Sequence, residues 1–545
     1  NVRLSKNLSL DKEILDKISK LMDPFKRNKL DYKVQNISKL ASDENLNPLD
    51  RALISLRKFN RMSESEIITP MKICEQMINL IPEDGLRKIV DNKENLLDIA
   101  SKSGEYAVAI YKRLVDELGY SHNEVSNIIF SIPTSSIAYE FTRKFYEILD
   151  LNIDNIAVNF NTYELLNVKD NSSIVDYEKI KNILNQNKVL SKIELTDVLK
   201  EDEFKMKFGA VVGNPPYQVS DGGAKASSKP IYQHFVLLGK IISENYTCYI
   251  TPTRWFAGGK GLDEFRDYML KDKTIMEIHD FLSPEDVFSD TNNRGGVCIL
   301  FNDLKKVESK ARIVTYKNDN IISDVHRELL EDDIDIFIRD SIGINIIKKV
   351  LSIGNNETLD SIVSSRKPFG LEGNFINSEK IKENPSRLLN PIKCYGKSNK
   401  KGYMERVLIQ KNENWINTWK VYTPYANNIG TELKDDNQNS FVGEPNSVST
   451  ETFLVIGANI NLNEESASNL SKYLKTKFSR YLHSLAKISQ HGTSKTYRFI
   501  PIENFTCDSD IDWSKSLLEI DEQLFEKYKL SINEVEHIKT SIKNM

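Results

Sequence analysis

At 545 residues the chain exceeds what one hydrophobic core organises, so two or three domains are expected. A composition of 28% charged, 40% hydrophobic and 9% aromatic residues excludes wholesale disorder. The net charge of −4 excludes a uniformly basic surface, so any contact with nucleic acid must come from local concentrations of charge.

Cys74, Cys248, Cys298, Cys394 and Cys507 form no CxxC pair, which predicts neither a metal site nor a disulfide framework. Reduced thiols fit a cytoplasmic protein. No apolar run approaches the ~18 residues of a membrane span, so no membrane partner is expected, and no signal peptide is visible. The chain opens on Asn1 rather than Met, which leaves room for an upstream domain.

Residues 1–62 read as a helical segment or linker, with Leu10, Ile14, Ile18 and Leu21 at helical spacing after Ser9. Thr69 is the expected cap of the next helix and Pro70 its first residue, with Ile73, Met77 and Leu80 on its apolar face. Residues 95–100 read as a buried strand that runs into the small-residue turn 101–106. A helix with Ile110, Leu114 and Leu118 follows, then a strand over 127–132 and a helix from Ser136 to Leu149. Further strands are predicted at 156–160, 208–212, 246–250 and 297–301. This rhythm is that of an α/β parallel sheet with helices on both faces, in which ligands bind at the carboxyl ends of strands.

Past residue 305 the rhythm is lost. The expected division is a helical segment at 1–62, the α/β domain at 63–305, and a mixed α+β domain with irregular loops and closing helices at 306–545. Charge is uneven in this last part. Seven acidic residues fall between Asp324 and Asp340, whereas residues 471–500 hold seven Lys or Arg and no carboxylate. A second basic stretch spans 366–430. Either stretch could face phosphates, or be a solvated helix face.

The sharpest chemical signal is Val211-Val212-Gly213-Asn214-Pro215-Pro216-Tyr217, a buried strand that ends in an amide, two prolines and an aromatic. An exocyclic amine on a base has two N–H donors. The Asn214 side-chain oxygen and the Pro215 carbonyl can each accept one. Proline stiffens the backbone that presents them, and Tyr217 offers a ring for stacking, worth about 1–3 kcal/mol per base. Accepting both hydrogens aims the nitrogen lone pair for in-line attack. The templates for P-loop nucleotide sites, HExxH zinc sites and zinc deaminases are absent from the sequence.

Asn214–Tyr217 resembles the catalytic motif of amino-methyltransferases. Leu97-Asp98-Ile99-Ala100-Ser101-Lys102-Ser103-Gly104-Glu105-Tyr106 resembles their cofactor loop, and Glu66–Pro70 is similar to the Thr-Pro motif that precedes it. The order of the three motifs, with a large C-terminal domain after them, resembles the gamma arrangement of adenine-N6 DNA methyltransferases. More narrowly, Ser131–Ser135, Lys229–Gln233, Thr253–Phe256, Gly295–Val297 and His491–Pro501 look like the methylase part of type IIG restriction–modification enzymes. The resemblance implies a Rossmann-like methyltransferase sheet and S-adenosylmethionine as cofactor. It implies a catalytic corner of Asn214, Pro215, Pro216 and Tyr217. It further implies cofactor contacts from Thr69, Pro70, Asp98, Ala100, Ser103, Gly104, Thr134 and Asn161.

Departures from the family pattern are local. Ile99 replaces a Pro, Ser101 a Cys and Lys102 a Gly, and Lys102 is expected at negative φ, pointing to solvent. The acidic residue that normally ends the second strand is missing, and Thr134 or Ser135 takes its place. Asp98 suits the cofactor's ammonium group, with helix capping as the alternative. Glu105 is expected only to complement the helix dipole.

A paired base reaches such a corner only by flipping out of the duplex, at a cost of a few kcal/mol. This gives the C-terminal domain the task of binding double-stranded DNA, with Arg366, Lys367, Lys397, Lys400, Lys495 and Arg498 as the expected contacts. Several readings stay open: adenine N6 or cytosine N4 as target, a protein or RNA substrate, a fragment of a nuclease–methylase fusion or a partner of a restriction endonuclease, and a DNA-recognition subunit without catalysis.

Overall fold

The computed structural model describes residues 39, 42–57, 67–158, 160–185, 208–218, 229–288, 295–332, 334–353, 357–429, 436–487 and 491–544. The helix expected around Leu10–Leu21 lies outside them, as do Glu66 and Asn159. The chain divides into two compact units, Asn1–Asp335 and Ile336–Met545.

The first unit is built on an eight-stranded sheet: β1 (Asn95–Ser101), β2 (Ile129–Pro133), β3 (Phe208–Gly213), β4 (Ser243–Pro252), β5 (Ile275–Phe281), β6 (Val297–Asp303), β7 (Ala311–Lys317) and β8 (Asn320–Arg327). Their spatial order is β2-β1-β3-β4-β6-β5-β7-β8. Strands β1 to β4 run parallel, and Ile156 adds a parallel bridge to Ser131 on the outer side of β2. The sheet is mixed rather than purely parallel, because β6 inserts antiparallel between β4 and β5, and β8 is antiparallel to β7. It is a Rossmann-like sheet whose order reverses at β1, where β2 lies on one side and β3 on the other.

Local sequence explains the central strands. β2 and β3 are buried at every position and β1 at all but its first residue, as expected of strands covered on both faces. Helices α1 (Pro48–Arg57), α2 (Met71–Asn79), α3 (Glu83–Asp91), α4 (Glu105–Tyr111), α5 (Ser136–Leu149), α6 (Tyr177–Asn185), α7 (Tyr232–Ile242) and α8 (Asp263–Leu270) belong to this unit. The Ser135 hydroxyl accepts the Ala138 N–H at 3.1 Å and caps α5, which stops at the left-handed Asp150. The main core joins Met77, Ile78 and Ile89 of the N-terminal helices to Leu96, Val212, Cys248 and Ile299 of the sheet.

Strands β7 and β8 extend this sheet past residue 305, so the break expected at 305/306 falls inside it and the unit continues to Asp335. β8 lies at the sheet edge, with a register irregularity between Thr315 and Tyr316 of its partner β7.

The second unit holds two small sheets. One has the order β10-β9-β13, from β9 (Pro391–Tyr395), β10 (Lys401–Glu405) and β13 (Ser447–Ser449). The other has the order β12-β11-β14, from β11 (Lys420–Pro424), β12 (Phe441–Gly443) and β14 (Phe453–Ile456). Its helices are α9 (Ser341–Ile353), α10 (Glu464–Tyr473), α11 (Lys477–Leu485), α12 (Leu517–Lys527) and α13 (Ile532–Ser541). Capping boxes start α12 at Ser516 with Glu519 and α13 at Ser531 with Glu534.

The basic run 471–500 does not form a positive face. Arg480 is buried and paired with Asp436 at 2.5 Å. Lys487 is buried and donates to the carbonyls of Asn427 and Ile429 at 3.0 and 2.9 Å. Lys472 and Lys477 reach the carbonyls of Trp513 and Lys539, each at 2.6 Å. Lys495 is exposed and Arg498 half-buried, whereas Tyr497 is part of the core.

Candidate active site

The carboxyl ends of β1 and β3 lie side by side, since Asp98 pairs with Val212 in the parallel register. The turn after β1 and the corner after β3 are therefore neighbours. Gly213 leaves β3 at φ +157, where a Cβ would stand 3.3 Å from Ile99 Cγ2 and 3.5 Å from Asp98 Oδ1. Glycine is needed for this close passage of strand end over strand end.

Asn214 is buried, and its Nδ2 donates to Thr69 Oγ1 at 3.2 Å. Thr69 also receives the Tyr106 hydroxyl at 3.4 Å. Pro70, not Thr69, occupies the cap position of α2, and its carbonyl accepts the N–H groups of Ile73 and Cys74. The cap thus sits one residue later than expected. A backbone carbonyl closes the first turn, and the Thr69 hydroxyl is left to orient the Asn214 amide. Pro70 itself is exposed.

Pro215 and Pro216 are buried, and Tyr217 is half-buried. The Tyr217 ring stands edge-on to Tyr232, with centroids 6.3 Å apart. Its hydroxyl is buried without a hydrogen-bond partner among the described residues, and this burial holds its proton far above the usual phenol range.

The turn after β1 is a buried polar cluster. Asp98 is fully buried. Its Oδ1 accepts the Ala100 N–H at 3.2 Å, and its Oδ2 has no partner among the described residues. Burial first, and then the neighbouring Glu105 carboxylate, push the Asp98 carboxyl up to about 8, against the opposing pull of Ser101, the Ala100 N–H and Lys102. Glu105 is 1% exposed, so it does more than face solvent at a helix start. Its Oε2 accepts the Ser103 N–H and hydroxyl at 2.8 and 3.0 Å, while Oε1 is unpartnered among the described residues. Ala100 and Ser103 are buried beside these groups.

Gly104 precedes α4 in the left-handed conformation at φ +80, and its N–H donates to Ser101 Oγ at 3.1 Å. A Cβ there would stand 3.4 Å from Phe145 Cβ and Thr142 Cα.

Lys102 overturns one expectation. It does not point to solvent. It is 5% exposed, and its Nζ donates to the Asn214 backbone carbonyl at 2.8 Å.

The remaining expected residues are placed as follows. Thr134 is buried and its N–H donates to the Ser101 carbonyl at 2.9 Å, tying the end of β2 to the turn after β1. Asn161 caps the single helical turn Thr162–Leu165, with Oδ1 accepting from Tyr163 and Glu164 and Nδ2 donating to Glu164. Thr162 carried no signal in the sequence. Its hydroxyl lies 2.9 Å from the Ile99 carbonyl and 3.1 Å from that of Ile132, locking the ends of β1 and β2 together.

In the second unit, Arg366 pairs with Glu451 at 2.9 Å and lies over the Tyr425 ring at 5.2 Å. Lys367 pairs with Glu372. Lys397 and Lys400 reach the side chains of Asn374 and Asn377. Each of these four therefore has a partner within the protein.

The buried unpartnered oxygens of Asp98 and Glu105 fit a ligand with a cationic end. S-adenosylmethionine, with its ammonium group, is such a ligand. Among the described residues no group of three or more His, Cys, Asp or Glu is arranged to hold a metal ion. No described helix is long and apolar enough to cross a membrane.

Residues 127–288 match the model of the Eco57I restriction-modification methylase family. An uncharacterized adenine-specific methylase of Mycoplasma pneumoniae is 33% identical over 112 residues, which is 20% of this chain and 26% of that protein. The chain thus aligns with about a quarter of the length of that relative. Among solved structures, the type IIL restriction-modification enzyme MmeI in complex with DNA aligns with a TM-score of 0.48 at 10% identity, over 91% of this chain and 81% of that one. The methyltransferase subunit of a type I restriction-modification system from Streptococcus thermophilus aligns with a TM-score of 0.32 at 14% identity, over 57% and 58%. The segment that carries Asn214–Tyr217 lies within the region that resembles the Eco57I restriction-modification methylases.

Proposed function

We propose that the chain transfers a methyl group from S-adenosylmethionine to the N6 amine of a flipped adenine in double-stranded DNA, within a restriction–modification or defence system. The observation that carries this reading is the junction of Asn214 with Thr69 before α2 and with Lys102 in the turn after β1. It supports a rigid two-acceptor corner next to the buried carboxyl groups of Asp98 and Glu105.

Thr69 takes one hydrogen of the Asn214 amide, which turns Oδ1 into the acceptor for the target amine. The Pro215 carbonyl accepts the second hydrogen, and Tyr217 stacks on the base. Asp98 and Glu105 bind the ammonium end of the cofactor. The cofactor supplies an electrophilic sulfonium methyl group. The amine, held by both hydrogens, presents its lone pair along the line of transfer. Nitrogen would take the methyl as the sulfonium S–C bond breaks to leave a neutral thioether, and the methylated amine would then lose one proton to water. Preorganised acceptors stabilise the positive charge that develops on nitrogen and need no reorganisation during the step. Lys495 and Arg498 serve DNA phosphates, and such a protein would work in the cytoplasm, where its substrate lies.

The test is incorporation of labelled methyl from S-adenosylmethionine into unmethylated bacterial genomic DNA, followed by long-read sequencing to identify the base. Asn214→Ala should abolish incorporation. Label appearing in protein or RNA, or in DNA at an unchanged rate with Asn214→Ala, contradicts the proposal.

A further inference from the structure

An ordinary peptide plane can be held from two sides, through its carbonyl and its N–H. The plane between Asn214 and Pro215 cannot, because the proline nitrogen has no hydrogen. It can be hydrogen-bonded only through the Asn214 carbonyl oxygen, and that oxygen receives Lys102 Nζ at 2.8 Å across 112 positions of sequence. Peptide planes move as rigid units. The proline ring fixes φ at Pro215, so a tilt of this plane carries the Pro215 carbonyl with it. Position and charge agree with such a clamp. Lys102 is 5% exposed, and a buried ammonium persists only with a good acceptor and a nearby counter-charge. Asn214 supplies the acceptor, and the buried carboxyl groups of Asp98 and Glu105 lie in the same β1–α4 segment.

We propose that Lys102 is a positioning residue for methyl transfer: its ammonium clamps the Asn214–Pro215 peptide plane and so aims the Pro215 carbonyl at the target amine. The inference rests on the function proposed above. It assigns a role to a residue that stands where the resembling cofactor loops carry glycine. It also explains why a long charged side chain is folded inward instead of leaving the turn.

The test compares the wild-type chain with Lys102→Met and Lys102→Arg. It measures labelled methyl incorporation into unmethylated bacterial genomic DNA, KM for S-adenosylmethionine and thermal melting. Lys102→Met removes one charge-assisted hydrogen bond, so kcat should fall about 10- to 100-fold. KM for the cofactor should change less than kcat does, since the lost hydrogen bond is to the Asn214 carbonyl and the Lys102 charge reaches the cofactor site only through Asp98. Lys102→Arg should recover most of the loss, because a guanidinium N–H can reach the same oxygen. Wild-type kcat in Lys102→Met, or a loss that appears only in KM for the cofactor, overturns the clamp. If Lys102→Met does not melt cooperatively, Lys102→Arg decides: kcat within about threefold of wild type supports the clamp, and a greater loss overturns it. A wild-type chain that labels no DNA, or full labelling by Asn214→Ala, overturns the methyltransferase reading and the clamp with it. Those two results do not depend on Lys102, so the two failures are told apart.

Discussion

Asn214 Nδ2 and Thr69 Oγ1 stand 3.2 Å apart, joining residues 145 positions distant in the chain. The contact gives the Thr-Pro pair before α2 a direct part in shaping the corner after β3. A neutral hydrogen bond is worth about 0.5–1.5 kcal/mol, so Thr69→Val should lower kcat about 3- to 10-fold. Cofactor affinity should barely change, and Thr69→Ser should behave as wild type. A Thr69→Val protein with full labelling activity removes Thr69 from the account.

If Asp98 holds the cofactor's ammonium group as proposed, its carboxyl, pushed up to about 8, makes that binding depend on pH. A protonated carboxyl cannot pair with an ammonium group. The affinity for S-adenosylmethionine, measured by calorimetry, should rise as pH climbs from 6 to about 7.5, by up to about tenfold per unit, and fall again at higher pH as the cofactor's own ammonium group loses its proton. Asp98→Asn should bind weakly and lose this slope.

The same carboxyl governs the stability of the ligand-free protein, with a definite sign. Its folded value lies above the unfolded value near 3.8, so the folded state holds the proton more tightly. Its stabilising contribution is complete below about 4 and is lost as pH rises through about 8. Melting temperature should fall over that window in wild type and fall less in Asp98→Asn. Parallel profiles for the two proteins would argue against a buried titrating carboxyl.

Gly104 at φ +80 and Gly213 at φ +157 hold conformations that other residues resist. Alanine at Gly104 should cost about 1–2 kcal/mol from left-handed strain alone. At Gly213 the new Cβ also presses on Ile99, 3.3 Å away. Each variant should melt below wild type and bind the cofactor more weakly. Melting at the wild-type temperature would show that the two turns relax freely.

Charge location separates DNA contacts from internal lysines. Lys495 is exposed, so Lys495→Ala should weaken binding to duplex DNA and reduce the slope of log K against log salt by about one. Lys487 is spent on the carbonyls of Asn427 and Ile429, so Lys487→Ala should lower stability and leave the slope unchanged. A shared effect on the slope would mean that buried charge reaches the DNA.

His537 Nε2 lies 2.6 Å from Asp340 Oδ2 in the second unit. The hydrogen bond to Asp340 raises the imidazole above its ordinary value. Burial would raise Asp340, but His537 and the Tyr481 hydroxyl outweigh it and hold that carboxyl low. The His537 contribution is complete below about 6.5 and is lost as pH rises through its folded value. The Asp340 contribution is present above about 4 and is lost as pH falls through its own. His537→Gln should therefore destabilise most in the window between, by about 1–3 kcal/mol, and little at pH 9. Urea unfolding at pH 5.5 and 9 measures the difference.

The central strands were legible because they are short apolar runs closed by turn residues, and β1, β2, β3 and β6 fall where those runs predict them. β7 and β8 were not. β8 is an edge strand whose residues are all exposed or half-buried, so it carries no buried apolar run. Asn214–Tyr217 stood out because two prolines and an amide after a buried strand are a rare combination. The roles of Lys102 and Glu105 stayed hidden for one reason. Sequence treats a charged residue in a turn as solvated, whereas the register of β1 against β3 folds this turn into the protein. The basic run 471–500 misled in the same way, since α11 turns Arg480 inward and the segment just after it buries Lys487. The cap at Thr69 was misplaced by one residue because a Pro carbonyl can close a first turn without a side chain.

The continuation of the sheet past residue 305 bears on how this protein can be dissected. A polypeptide cut there would lose β7 and β8 and strip the outer edge of β5, whose Ile275, Ile278 and Phe281 are otherwise buried. Bare backbone donors and acceptors along such a strand recruit copies of themselves. A truncated catalytic half should therefore precipitate or form multimers, whereas one ending at Asp335 keeps the charged, irregular β8 as its own guard.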